Sequence, residues 1–391
     1  MTRKKTDTIA VRTGIGTDTQ HHAVVPPLYL STNYRFPAFG DVPTYDYARG
    51  GNPTRAQLEQ ALTDLEGGAG AVVTNCGMSA INLVLSLLNA GDKVVAPHDC
   101  YGGTYRLLES RAKQGIWQVS FVDQSDNNAL DSALAEQPKL VLVETPSNPL
   151  LRVVDIAEIC QKAHKVGAWV VVDNTFLSPA LQKPFSLGAD MVVHSTTKFI
   201  NGHSDIVGGA VIAGTQELAD TLAWWGNCLG ATGNAFDSYM TLRGLRTLGA
   251  RVKQHQQNTE AVLRYLQTVP AVRKIYYPGL TSHPGHAIAA RQQAGFGSML
   301  SLELETDQAG LARFIEGLSL FALAESLGGV ESLVTHPGSM THRAMSDAAQ
   351  AEAGIVPTLL RFSIGLEDAE DLVTDLAQAF AHLADEVHLS F

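Results

Sequence analysis

Asp190-Met191-Val192-Val193-His194-Ser195-Thr196-Thr197-Lys198-Phe199-Ile200-Asn201-Gly202-His203-Ser204 runs from an apolar strand into a knot of hydroxyls around one lysine, and leaves through an Asn-Gly turn signal. Lysines mostly sit as solvated charges on polar faces. Lys198 instead follows the buried-looking segment Met191 to Val193 and has pocket-lining residue types on both sides. Burial there favours the neutral amine, the form that attacks a carbonyl carbon. Ser195 and Thr197 precede it by three residues and one, and on extended chain alternate side chains point the same way. The stretch therefore predicts two hydroxyls able to hold a phosphate beside an amine able to bond an aldehyde. Taken alone, Lys198 reads more readily as a strand-end lysine among ordinary turn residues, since most lysines are only solvated charges.

Upstream, Gly167-Ala168-Trp169-Val170-Val171-Val172-Asp173-Asn174 is a near-continuous apolar run that ends in a carboxylate. Such a run marks a parallel strand covered on both faces, and ligands of such sheets bind beyond the carboxyl ends of the strands. Asp173 is thereby expected to face a site. A carboxylate there can hydrogen-bond a protonated pyridine nitrogen and keep the ring cationic, which makes it an electron sink. The alternative for a lone Asp173 is a cap on the next turn. With Lys198 on a nearby strand end, the two together point to pyridoxal 5'-phosphate held as a Schiff base.

The rest of the chain supports an α/β fold. Lys139 to Val143, Asp155 to Lys165, Trp169 to Asp173, Met191 to Val193 and Gly208 to Ile212 alternate strand and helix patterns, which predicts a mainly parallel sheet with helices on its faces. Earlier, Ala71 to Val73 is a short strand followed by Thr74-Asn75-Cys76-Gly77-Met78-Ser79 and an apolar helix from Ala80 to Leu88. Strand, glycine turn and helix start make an anion site, with Gly77 and Met78 as phosphate binders. Leu58, Leu62 and Leu65 share one helical face after Asn52-Pro53-Thr54 and before Gly67-Gly68. Residues 1–55 are rich in turn formers and read as an extended arm, in which Tyr47 and Arg49 can reach one anion from the same side. Residues 56–250 form the large α/β domain. Beyond it, helices such as Thr259 to Gln267 mix with alternating strands such as Met299 to Leu304, so residues 251–391 read as a smaller α+β domain. Its strand Thr358 to Gly365 carries Arg361, whose fork can clamp a carboxylate or make a structural ion pair.

Composition narrows the classes. The 391 residues are 45% hydrophobic and 17% charged, ordinary for a globular protein. A formal net charge of −11 argues against nucleic acid, whose phosphates demand a concentrated basic surface. No segment has the apolar length of a membrane span, and the basic start does not lead into a signal-like apolar run. The four cysteines are scattered, as expected for a reducing cytoplasm. Histidines such as His21, His283, His286, His336 and His342 match no compact zinc spacing, so no metal is expected. No G-x-G-x-x-G opens the first strand–helix turn, which weighs against a nicotinamide dehydrogenase.

Four blocks carry a resemblance. The Lys198 stretch, Glu144-Thr145-Pro146-Ser147-Asn148-Pro149, Tyr47-Ala48-Arg49-Gly50-Gly51-Asn52-Pro53-Thr54 and Ala324-Glu325-Ser326-Leu327-Gly328-Gly329-Val330-Glu331 together resemble the Cys/Met-metabolism family of pyridoxal phosphate enzymes, over nearly the whole chain. Within it, Pro97-His98-Asp99-Cys100-Tyr101-Gly102-Gly103 and Leu222-Ala223-Trp224-Trp225 look most like the bacterial cystathionine-forming synthases. The resemblance implies a fold-type I transferase. It implies Lys198 and Tyr101 as catalytic groups, with Tyr101 stacking on the pyridine ring. It also implies that Tyr47 and Arg49 cross to a neighbouring subunit's cofactor phosphate, in a homo-oligomer whose active sites are shared across a dimer, with dimers pairing into a tetramer. Arg106, Asn148, Glu325, Ser326 and Arg361 are expected to meet the substrate. Gly50 departs from the pattern, since the synthases carry a second arginine there. The implied reaction, in methionine biosynthesis, replaces the acyl group of an O-acylated homoserine, foremost the succinyl ester, by the thiol of cysteine. Its rivals are γ-cleavage of cystathionine and addition of sulfide to O-acetylhomoserine.

Overall fold

The computed structural model describes residues 4–343 and 345–384. A short helix α1 (Thr6–Arg12) precedes α2 (Pro53–Glu66), whose start and stop follow from its sequence. The Asn52 side chain accepts from the Thr54 and Arg55 amides at 2.9 and 3.0 Å, and Pro53 takes the first turn, where no amide donor is needed. Gly67 ends the helix at φ 83°, a left-handed conformation that only glycine adopts freely, with its N–H on the Thr63 carbonyl. Leu58, Leu62 and Leu65 are fully buried on one face against Val73, Val192 and Ile212. Each contributes on the order of 2 kcal/mol by leaving water. The segment before α2 is not extended throughout, because Ala10 of α1 is buried in this same cluster. Between the two helices it forms the isolated bridge Asn33–Tyr47 and no named strand among the described residues.

Seven strands follow: β1 (Gly70–Thr74), β2 (Lys93–Pro97), β3 (Gln118–Val122), β4 (Leu140–Glu144), β5 (Trp169–Asp173), β6 (Met191–His194) and β7 (Gly209–Ala213). They form one sheet in the order β1-β7-β6-β5-β4-β2-β3. Only β7 runs against its neighbours β1 and β6, and every other pairing is parallel, as the alternating pattern predicts. Val170, Val171 and Val172 are fully buried, which explains why this strand reads as an unbroken apolar run. Helix α3 (Gly77–Leu85) follows β1, and α4 (Gly102–Lys113) follows β2.

Five further strands, β8 (Val272–Tyr276), β9 (Met299–Leu304), β10 (Ala322–Leu323), β11 (Leu333–Thr335) and β12 (Leu359–Ser363), form a second sheet ordered β10-β11-β12-β9-β8. It is antiparallel apart from the β10–β11 pair. Phe314, Leu360, Phe362, Leu376 and Phe380 close its core. The chain divides into two compact units: one takes in the chain through Pro97 with Leu108–Glu144 and Asp155–Gly249, the other His98–Leu107, Thr145–Val154 and the chain from Ala250 onward. Residues from the loops after β2 and β4 thus group with the second sheet.

Candidate active site

In the first unit, Asp173 closes β5 and pairs in register with Val193 of β6. Its Oδ1 accepts from the Thr175 amide at 3.0 Å, and the Thr175 hydroxyl in turn accepts from the Ser195 amide at 2.9 Å. Two strand ends are therefore tied by one threonine. Burial pushes the Asp173 carboxyl above its ordinary range, opposed by the Thr175 hydroxyl and amide and by charge on His194. A cation at this carboxylate is the natural way to hold its charge there.

The chain does not stay extended through the lysine. Strand β6 stops at His194, and residues 196–200 are a turn in which the Lys198 amide donates to the Ser195 carbonyl at 3.2 Å and the Gly202 amide donates to the Lys198 carbonyl at 2.7 Å. Ser195 and Thr197 therefore do not share one side of an extended chain, the arrangement that the sequence pattern predicts. Thr197 Oγ1 donates to the Gly208 carbonyl at 3.1 Å and accepts from the Gly208 amide at 3.0 Å, while Ser195 lies against the start of α3. Lys198 itself is half-buried rather than enclosed.

Gly77 and Met78 open α3, which is capped by the Cys76 side chain. A Cβ on Gly77 would lie 2.8 Å from Ser195 Cβ and 3.1 Å from its Cα, so only glycine lets the helix start approach this residue. Unpaired amides of a first helical turn beside a serine hydroxyl are what a phosphate needs.

In the second unit, Arg361 sits mid-strand on β12 and is 2% exposed. Its Nη1 donates to Asn148 Oδ1 at 2.8 Å, and its Nη2 to the Ser326 carbonyl at 2.9 Å and the Thr335 hydroxyl at 3.2 Å. Burial lowers its pKa to about 10, with Tyr101 and Glu325 opposing, so it stays cationic at neutral pH. Its Nε has no hydrogen-bond partner among the described residues. Ser326 has φ 84°, a strained conformation for a residue with a side chain, and its carbonyl meets the guanidinium. With its oxygen committed to Arg361, Asn148 can offer an anion only its NH₂. Tyr101 immediately precedes α4 and is 43% exposed, and Arg106 lies exposed on the same helix. Glu325 is also exposed.

Asp99, Ser147, Arg152 and His342 support this cluster, and nothing in the sequence alone gives them that role. The buried Asp99 Oδ2 accepts from Ser147 Oγ at 2.6 Å and Arg152 Nη1 at 2.8 Å, which pins the loop bearing Asn148. His342 Nε2 donates to the Asn148 carbonyl at 3.2 Å. Its pKa is pushed down to about 4, by burial first and by Arg361 second, so the ring is neutral. On the arm, Tyr47 and Arg49 are exposed, with the Arg49 guanidinium carbon 5.7 Å from the Tyr47 ring centre. Among the described residues no group of His, Cys, Asp and Glu is arranged to hold a metal.

Residues 7–381 match the family model of the Cys/Met metabolism PLP-dependent enzymes. The chain belongs to that family. As a Cys/Met metabolism PLP-dependent enzyme it is 60% identical over 381 residues to cystathionine γ-synthase of Escherichia coli K12, covering 97% of this chain and 98% of that protein. It is 45% identical over 373 residues to cystathionine β-lyase of Lactococcus lactis subsp. cremoris, covering 95% and 98%. The solved structure of cystathionine γ-synthase from Xanthomonas oryzae pv. oryzae, in complex with aminoacrylate and cysteine, superposes with a TM-score of 0.97 at 55% identity, covering 98% of this chain and 99% of that one. Pyridoxal phosphate, the cofactor of the family, suits the residues of the first unit: the Gly77 helix start and Ser195 suit its phosphate, and Asp173, held high by burial, suits a protonated ring nitrogen.

Proposed function

We propose that this enzyme catalyses γ-replacement, exchanging the acyl group of O-succinylhomoserine for the thiol of L-cysteine to give cystathionine, as part of methionine biosynthesis. The observation that carries this choice of reaction is the 60% identity, end to end, to a cystathionine γ-synthase. The buried Arg361–Asn148 pair is in keeping with it, because every candidate substrate has an α-carboxylate to be gripped.

When bound, pyridoxal phosphate supplies a carbonyl that takes the substrate amine and a cationic ring that accepts the electron pair left on the α-carbon. The chain supplies the rest. Lys198 removes the α-proton with its amine and returns protons later in the cycle. Asp173 keeps the ring nitrogen protonated. The amides of Gly77 and Met78, with Ser195, hold the phosphate, while Thr197, expected from sequence to join them, spends its hydroxyl on the Gly208 backbone. Arg361 and Asn148 hold the α-carboxylate, and the Ser326 carbonyl fixes the guanidinium in that pose. Tyr101 would stack on the ring and steer the substrate amine, while Arg106 and Glu325 would meet the more distant polar groups of the two substrates. Tyr47 and Arg49 reach the cofactor phosphate of a second subunit, in a homodimer that pairs into a tetramer. Exposed apolar side chains on the same arm, among them Leu30, Phe39 and Val42, support an arm that is covered in the assembly. No helix among the described residues is long and apolar enough to cross a membrane, and with four free cysteines we place the enzyme in the cytoplasm.

The test is a product assay. Purified enzyme given O-succinylhomoserine and cysteine should form cystathionine, whereas cystathionine alone should yield little 2-oxobutyrate. Dominant 2-oxobutyrate release without cystathionine synthesis would make the enzyme a γ-lyase, and preference for O-acetylhomoserine with sulfide would make it a sulfhydrylase.

A further inference from the structure

Glu66, the last residue of α2, is 2% exposed and has no part in the chemistry above. Its Oε1 receives His194 Nε2 at 2.6 Å and Asn174 Nδ2 at 2.9 Å. The orientation of the Asn174 amide is fixed, because Nδ2 also donates to the Gln182 backbone carbonyl at 3.1 Å, which can only accept, while Oδ1 accepts from Gln182 Nε2 at 3.0 Å. One carboxylate oxygen thus accepts from two side chains. Asn174 directly follows Asp173, and His194 directly precedes Ser195. A single buried acid therefore grips the residues adjoining the ring-nitrogen candidate on β5 and the phosphate candidate on β6.

Asn174 and His194 are 0% and 1% exposed, so the group is sealed from water. A lone carboxylate in such a place is costly, and the two side-chain donors on Glu66 Oε1 offset that cost. Charge on His194 acts to keep Asp173 ionised, against the effect of burial. Glu66 Oε2 and His194 Nδ1 have no hydrogen-bond partner among the described residues, so the ring is held by the Oε1–Nε2 contact.

We propose that Glu66 and His194 act as a positioning pair for Asp173, keeping its carboxylate charged and aligned for the nitrogen of the cofactor ring. This rests on the assignment of Asp173 to that nitrogen. The competing view is a core brace that stabilises the two strand ends and nothing more. The two differ in whether the effect passes through the ring nitrogen.

The experiment strips the full-length enzyme of cofactor and titrates it with pyridoxal phosphate and with its 1-deaza analogue, in which a C–H replaces the ring nitrogen. Dissociation constants are taken for the natural chain, Glu66→Gln and His194→Gln. The natural chain should prefer pyridoxal phosphate. Glu66→Gln should weaken pyridoxal phosphate about tenfold, the equivalent of ~1.4 kcal/mol, and leave the analogue within about twofold, so that the preference collapses. His194→Gln keeps a donor toward Glu66 but removes the charge that acts on Asp173, and should do the same even if Glu66→Gln fails to fold. Equal weakening of both ligands, or no change in either, overturns the proposal. A natural chain that binds both ligands equally removes the Asp173 assignment itself, and the proposal with it.

Discussion

Arg361 and Asn148 lie 213 residues apart in sequence and meet side chain to side chain, Nη1 donating to Oδ1 at 2.8 Å. Arg361→Lys keeps the charge and loses the planar fork, so it cannot engage Asn148, the Ser326 carbonyl and a ligand carboxylate together. We expect kcat/KM for the amino-acid substrate to fall on the order of a hundredfold, mostly through KM, because a carboxylate grip is made in ground and transition states alike. Steady-state kinetics decides it. A variant with unchanged KM would take the α-carboxylate away from Arg361.

Gly77→Ala tests the phosphate cradle. The new Cβ meets Ser195 Cβ and Cα, which belong to a packed strand end and not to a flexible tip. The helix start and Ser195 must separate, costing about 1–3 kcal/mol of overpacking. Cofactor retention should suffer more than the fold. Equilibrium dialysis should show release of pyridoxal phosphate from the variant at dilutions where the natural chain keeps it, with little change in the urea midpoint of the cofactor-free protein.

Much of this arrangement could be read before the structure. The Val170–Val172 run, the Leu58–Leu62–Leu65 face with its Asn52 and Gly67 ends, and the turn at Gly77 are local patterns, and local patterns survive folding. Roles such as those of Tyr101 and Asn148 came from family resemblance instead. Strand β3 carries no clear periodicity because it lies at the sheet edge and is only partly buried. The helix Leu248–Leu266 was legible only in its second half, since its first turns are dominated by Arg251, Lys253, Gln254 and Gln256. The turn at Lys198 escaped because hydroxyl-rich sequence fits extended chain and turns equally well. The Glu66–His194 contact spans 128 residues, and nothing local marks either partner.

Stability should fall as the pH drops from about 6.5 toward 4. His255 and His342 are both pushed down to about 4, chiefly by burial, from an ordinary value of 6.5. Each folded pKa lies below its unfolded one, so the unfolded chain binds the proton more tightly. Their contribution is complete above 6.5 and shrinks as pH falls, by about 1.4 kcal/mol per pH unit for each ring. Asp375, whose carboxyl is held low by Ser319, Leu320 and Phe321 against burial, loses its contribution only below its ordinary 3.8, outside this window. Urea midpoints at pH 7.5, 6 and 5 should decline, and His255→Gln should flatten the slope. An equal slope in the variant would remove His255 from the cause.

Arg55 offers the sharpest separation of stability from cofactor binding. It is 5% exposed, with Nη1 donating to the Ala48 carbonyl at 2.8 Å and the Gly233 carbonyl at 3.1 Å, and Nη2 to the Arg49 carbonyl at 3.2 Å. Its Nε lies 3.4 Å from Glu59 Oε1, which also accepts the Val73 amide of β1 at 3.2 Å. Burial pushes the Glu59 carboxyl up and Arg55 draws it back down. Arg55→Met strands that acid and leaves the three carbonyls without this donor, a change expected to cost about 3–5 kcal/mol. Adding Glu59→Gln removes the stranded charge and should restore part of that loss. It cannot restore the hold on the Ala48 and Arg49 backbone, so the arm that presents Tyr47 and Arg49 stays loose. The double variant should therefore regain much of its urea midpoint while still releasing pyridoxal phosphate faster than the natural chain in a dilution assay. Parallel recovery of both would mean that Arg55 serves the fold and not the arm.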